Sequence, residues 1–141
     1  MRTELINSTG VVYMTTEYDA VHHWVYNNWI GDLTYAGVVA GAEACLELIK
    51  KHHCAYLLSD NRQGTGTWDE VLEWVTHNWT PRALAAGLTH FAQVVSVDTL
   101  AADTSEVMRA NLEDKFQMRT FTLMAEAQAW LLQAQQAKAK H

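Results

Sequence analysis

The chain of 141 residues has the length of one domain, and a chain of this size can bury roughly 68% of its unfolded surface without disulfides or metals. Apolar residues make up 49% of the sequence and charged residues 18%, which excludes the composition typical of disordered proteins. The formal net charge of -6 argues against nucleic acid as a partner, because nucleic-acid affinity depends largely on neutralising phosphates.

The sequence carries no targeting or membrane-spanning pattern. Its first residues lack the apolar stretch of a signal peptide, and no run approaches the ~18 apolar residues of a membrane span. Cys45 and Cys54 each lie inside an apolar segment, which is typical of small buried side chains in a reducing compartment. We therefore expect a cytoplasmic protein without a membrane span or a disulfide.

The first thirty residues predict two or three meandering strands. β-branched and aromatic residues cluster at positions 11–16 and 24–30, separated by turn-forming residues at 7–10 and 18–20. From Thr34 onward the apolar spacing becomes helical, with Thr34 as the N-cap and Lys50 and Lys51 at the carboxyl end. Glycines four residues apart in this helix would let a neighbouring element approach closely.

The middle of the chain predicts a buried strand followed by a second helix. Residues 55–58 form a short unbroken apolar run, typical of a strand buried on both faces. The segment from Trp68 to Trp79 returns to helical spacing, with a capping box of Thr67 and Glu70 at its start. Pro81 is expected to end this helix.

The rest of the chain predicts a strand at 91–95, a third helix opened by Asp103, a short strand at 118–121 and a final helix capped by Thr122. The polar tail at 135–141 is expected to fray. The predicted fold class is therefore α/β, with a mixed, mostly parallel central sheet of about five or six strands, an N-terminal antiparallel hairpin and four helices. We expect one domain over residues 1–141.

The predicted strand-to-helix turn at residues 60–68 is the most promising working surface. Ligands of open α/β sheets gather at the carboxyl ends of strands, where a helix start offers N–H groups and positive potential. A purely structural interpretation stays open, since Gly64 and Gly66 suit a turn and Thr67 suits a helix cap. A Walker-type phosphate loop is excluded because no Lys-Ser/Thr pair follows.

Catalytic and metal-binding patterns are weak. The adjacent histidine pairs 22–23 and 52–53 diverge in direction on either a strand or a helix, so neither pair forms a site by itself. The sequence has no Gly-x-Ser-x-Gly elbow, and acidic residues near a helix start are common for reasons of the helix dipole. We expect no enzymatic activity, no cofactor and no metal.

The order of elements resembles that of the STAS superfamily, and more narrowly the SpoIIAA-like group of bacterial STAS domains, which is related in fold to CRAL-TRIO lipid-transfer proteins. The resemblance covers essentially the whole chain, and the matching segments are 26–31, 57–62, the Trp68/Trp74/Trp79 helix and 121–131. It implies a non-enzymatic module that binds a protein partner, such as an anti-sigma-type kinase, through the start of the helix after a central strand.

In the family a Ser or Thr at this position is phosphorylated to switch binding off. The matching stretch here lacks Asp-Ser-Ser-Gly, and Thr65 and Thr67 are the nearest candidates for a phosphosite. We hypothesise a bacterial regulatory protein-interaction module of the anti-sigma-factor-antagonist type. Its expected contact residues are Asp60, Asn61, Arg62, Thr65, Thr67 and Trp68.

A small carrier of a hydrophobic or lipid-like ligand is the alternative. The helically spaced tryptophans predict core packing, but the CRAL-TRIO kinship implies that helices can part from the sheet and form an aromatic-lined pocket. An exposed edge strand would also accommodate a homodimer.

Overall fold

Six strands form one sheet in the part of the chain that the structure describes, residues 2–65, 69–96 and 117–139 of a computed structural model. Each of the three N-terminal strands pairs antiparallel with the next, and the three strands that follow run parallel to the third. This arrangement confirms the predicted α/β class and its mixed sheet. In chain order and in space the strands are β1 Arg2–Ile6, β2 Val12–Asp19, β3 Trp24–Asp32, β4 Tyr56–Thr65, β5 His90–Val94 and β6 Gln117–Phe121.

The helix that follows β3 begins and ends as its sequence predicts. This helix, α1, spans Tyr35–His52, and the Thr34 side chain accepts a hydrogen bond from the N–H of Gly37 at 3.0 Å. At the other end His53 adopts a left-handed conformation and its N–H caps the carbonyls of Ile49 and Lys50. Lysines and a histidine occupy the last turn, where they oppose the negative end of the helix dipole.

The helical segment after β4 does not end at Pro81, so that prediction is wrong. It comprises α2 (Asp69–Trp74), a π-helical turn (Val75–Trp79) and α3 (Thr80–Ala86), and a left-handed Gly87 caps its end. Pro81 lies in the first turn of α3, directly after the π-helical turn, where the fixed φ of proline is compatible with a helix.

The C-terminal helix, α4, spans Met124–Ala139. The segment expected to fray is therefore helical as far as Ala139. The Gln135 side chain donates a hydrogen bond to the carbonyl of His22 at 2.7 Å and ties the helix to the turn between β2 and β3. The predicted third helix at 103–116 and the capping box of Thr67 and Glu70 lie outside the described residues.

Helices cover both faces of the sheet, and the alternation of β4 shows how. Leu57 packs beneath α1 and the helical segment that ends at Ala86, whereas Leu58 packs beneath α4. Successive strand residues point to opposite faces, so a strand covered on both sides is apolar at both. None of the helices in the described part of the chain is long and apolar enough to cross a membrane.

Candidate functional site

The predicted turn that starts at Asp60 is instead the continuation of β4. The strand runs to Thr65 and pairs with β3 to its end, with Gly31 opposite Gly64 and Asp32 opposite Thr65. Gly64 is needed for close packing rather than for a turn, because a Cβ there would meet the Leu33 side chain at 3.0 Å. The prediction of a turn from Asp60 is therefore wrong. The glycine and polar residues of this stretch are accommodated in β4 because β3 pairs with the strand to its end.

A β-bulge interrupts this pairing. Asn28 pairs with Asp60 but Ile30 pairs with Gln63, so β4 uses one more residue than β3 over the same length. Bulges redirect side chains and are frequent beside functional sites. Here the bulge lies in the stretch that the sequence singles out.

The predicted site residues do not share one surface. Asn61 is buried and lines a cavity beneath α1, whereas Asp60 and Arg62 form an ion pair with each other. Thr65 is exposed at the last residue of β4. Thr67 and Trp68 lie outside the described residues.

Asp60 holds Arg62 in a defined position. The Arg62 guanidinium donates from Nε to Oδ1 at 3.0 Å and from Nη2 to Oδ2 at 2.9 Å, and its backbone N–H donates to Oδ1 at 3.1 Å. The Asp60 side chain is 5% exposed and that of Arg62 is 43% exposed. These bonds to Asp60 raise the pKa of Arg62, while burial, helped by the neighbouring Asp60 carboxylate, raises the pKa of the Tyr26 hydroxyl.

A polar row, which we define as Thr16, Asn27, Ser59, Gln93 and Thr120, crosses the sheet beneath α1. Each residue pairs with the next across the ladder, from β2 through to β6. Four of them, Thr16 to Gln93, are at most 4% exposed. Buried central strands are usually apolar throughout, so this row is an exception that requires an explanation.

The row is only partly satisfied by its own hydrogen bonds. Thr16 donates to Asn27 Oδ1 at 2.6 Å, and Ser59 donates to Asn61 Oδ1 at 2.7 Å while accepting from Trp29 Nε1 at 3.2 Å. Two buried oxygens of the row, Gln93 Oε1 and Thr120 Oγ1, have no partner among the described residues. Leaving such groups unpaired is costly, about 1–3 kcal/mol each.

A partly open cavity of about 50 Å³ lies over the centre of the row. Its polar lining comes from Asn27, Ser59, Asn61 and Gln93, and its apolar lining includes side chains of α1 and of the π-helical turn. Cys45 of α1 also lines it, and burial raises the pKa of this thiol to about 12. The thiol is therefore protonated at neutral pH and is not a nucleophile there.

Sequence reasoning missed the polar row. The available signal was a polar residue within or directly after each apolar run: Asn27, beside Asn28, in 24–30, Ser59 after Leu57 and Leu58, and Gln93 in 91–95. What the sequence does not contain is the register that aligns these residues across five strands.

The two helically spaced tryptophans that the structure describes, Trp74 and Trp79, both pack against the core. Trp79 is 3% exposed, lines the cavity and donates from Nε1 to the Ala42 carbonyl at 3.0 Å. Trp74 is half-buried against the core. Among the described residues no group of three or more His, Cys, Asp and Glu side chains is arranged to hold a metal ion.

Comparison with known proteins adds no family to this description. No protein-family model, no curated protein and no solved structure matches the chain. The resemblance to STAS domains remains a prediction from the residues.

Proposed function

We propose that this protein is a non-enzymatic regulatory module that binds a partner protein at the carboxyl end of β4, with Arg62 as the anchor of the contact. The observation that carries the proposal is the Asp60–Arg62 pair, in which a buried carboxylate fixes an exposed guanidinium beside a β-bulge.

Preorganisation is the reason that Arg62 suits a docking role. Arginine is enriched among residues that dominate interface energies, and a side chain already held in place loses little further freedom on binding. The two bonds to Asp60 engage Nε and Nη2. The remaining N–H groups of the guanidinium fork can donate to a partner's carbonyl or carboxylate.

Thr65, three residues after Arg62, is the candidate residue for a regulatory switch. It is exposed at the end of β4, where a kinase can reach it. Phosphorylation would add about -1.5 to -2 charges and would change the electrostatics at this end of the strand. Thr65→Glu is therefore expected to weaken docking.

The test is quantitative affinity capture from the native organism's lysate with the wild-type chain, Arg62→Ala and Arg2→Ala as baits. Arg2 is the matched control, because it is also an exposed arginine paired with an acid two residues away, Glu4, but it lies on β1. We expect a partner recovered by the wild type and Arg2→Ala and reduced about tenfold or more with Arg62→Ala.

Equal recovery by all three baits would contradict the role of Arg62. Absence of any partner with the wild type would contradict the docking function itself. Arg62→Ala leaves the buried Asp60 carboxylate without its counter-charge, so circular dichroism is recorded for each bait to confirm that it is folded. If Arg62→Ala does not fold, the double variant Asp60→Asn/Arg62→Ala carries the same expectation.

A small-molecule carrier is the second candidate, and the cavity over the polar row is the observation that favours it. The cavity of about 50 Å³ is well below the roughly 150 Å³ that holds benzene, so an acyl chain requires α1 and the π-helical turn to move away from the sheet. Native mass spectrometry tests this function. A mass increment lost on denaturation supports a carrier, and an unliganded mass contradicts stable retention of a lipid.

A further inference from the structure

One polar atom in the lining of the cavity has no hydrogen-bond partner among the described residues. Asn27 and Ser59 have partners of their own, but Gln93, at 4% exposed, lines the cavity with an Oε1 that has none among the described residues. A buried acceptor of this kind requires a donor. The cavity beside it has room for one, because a single water needs only about 10–15 Å³.

The charge of an occupant is restricted by the lining. No charged side chain is among the described residues that line the cavity, and the Cys45 thiol there is protonated. An ionised group placed against this lining would be buried without a counter-charge, which is strongly unfavourable. The described lining therefore favours an uncharged occupant.

The apolar side chains of the lining favour an occupant that carries an apolar group. Trp29, Trp79 and Phe91 supply flat apolar surface, and the polar groups lie together on the sheet side. Two of the lining residues, Val75 and Trp79, come from the π-helical turn. Such turns are often found at functional sites. At about 50 Å³ the cavity takes more than one water, and a molecule of a few heavy atoms requires this wall to move outward.

We infer that the cavity is a binding site for a small uncharged molecule that carries a hydrogen-bond donor next to an apolar group, such as a primary amide or an alcohol, with its donor bound to Gln93 Oε1. The inference narrows the ligand class of the carrier function proposed above, from a lipid to a compact neutral molecule. It is independent of protein docking at Arg62.

The test is an NMR titration of the isotope-labelled full chain with acetamide and, separately, with acetate. Acetamide can both donate and accept at the Gln93 carboxamide, and acetate has the same shape with a negative charge. Concentrations must reach roughly tens of millimolar, because so few atoms give only weak binding. We expect acetamide to shift the signals of Ser59, Asn61 and Gln93 in a saturable manner and acetate to leave them unchanged.

Gln93→Leu should weaken acetamide binding about tenfold or more, because the acceptor is lost while the side-chain volume is nearly retained. Gln63→Leu is the matched control, since Gln63 is exposed on β4, and it should bind acetamide as the wild type does. If Gln93→Leu does not give a folded spectrum, Gln93→Met carries the same expectation.

The inference would be overturned by the absence of a saturable shift with acetamide, by equal binding of acetate, or by unchanged acetamide affinity in the folded Gln93 variant. Long-lived water signals in the cavity that acetamide does not displace would overturn it as well, because the cavity would then be a structural water site. Failure here leaves both the partner capture with Arg62 and the native-mass test of lipid retention to be decided by their own readouts.

Discussion

The close contact between α1 and Trp29 gives a sharp stability prediction for Gly41→Ala. A Cβ at Gly41 would lie 2.6 Å from Cη2 and 2.8 Å from Cζ3 of Trp29. Carbon atoms pack best at roughly 3.5–4.0 Å, so the indole ring must retreat by about 1 Å. Trp29 also lines the cavity and donates to Ser59 at 3.2 Å, so the displacement would break that bond.

The opposing energies can be compared directly. Overpacking of a close-packed core costs about 1–3 kcal/mol. The lost hydrogen bond adds about 1 kcal/mol. Alanine in place of glycine within a helix returns about 0.5–1 kcal/mol. Gly41→Ala should therefore lower the free energy of unfolding by about 1–3 kcal/mol, against the stabilisation that helix propensity alone predicts.

The assay is urea denaturation followed by far-ultraviolet circular dichroism, with the m-value checked for constancy. The control is the same substitution in a Trp29→Phe background, where the smaller ring removes the clash. There Gly41→Ala should stabilise by about 0.5–1 kcal/mol. Equal effects in the two backgrounds, or stabilisation in the wild-type background, would refute the packing argument.

Three further predictions concern other parts of the molecule. Arg82 donates to Glu43 at 2.9 Å and lowers the pKa of this carboxyl from its ordinary value of 4.5, so the ion pair stabilises the fold above that value and the stabilisation is lost as the pH falls through the lowered pKa. Glu43→Gln should therefore lower the free energy of unfolding by about 0.2–1 kcal/mol at pH 7 and leave it unchanged in strong acid, as measured by denaturation at each pH. His53 has a φ of 49°, so His53→Gly should raise the free energy of unfolding by about 0.5–1 kcal/mol, whereas the helical control His52→Gly should lower it. Cys45 should react with the bulky, charged reagent dithiobis(nitrobenzoate) at pH 8 only at the rate of unfolding, and rapid modification of the native chain, followed by peptide mass spectrometry, would contradict its burial.

Position along the chain predicted the candidate site only in part. Asp60 and Arg62 were singled out because they follow a buried apolar run, and they do lie at the carboxyl end of β4. Their pairing, and the burial of Asn61 away from them, depend on the continued strand and its bulge. A bulge is set by how two strands fit together, which a single strand's sequence does not specify.

The sequence by itself determined the features that depend on neighbouring residues. The helical period after Thr34, its N-cap and the buried runs at 55–58 and 91–95 act over a few residues, and all of them recur in the structure. They were sufficient for the α/β class with its antiparallel start. The prediction that the helix ends at Pro81 is wrong because proline breaks a helix in its interior but is tolerated in its first turn, where Pro81 lies.

Only the tertiary structure decided the polar row and its cavity. Thr16, Asn27, Ser59 and Gln93 are far apart in the chain, and the sequence does not distinguish the first three from their polar neighbours Thr15, Asn28 and Asp60. Their alignment follows from the register of four strands, which is fixed by contacts between distant segments and by the fit of helices over the sheet. A one-residue shift in any of these strands would turn its polar residue to the other face, so the site exists only in the assembled sheet.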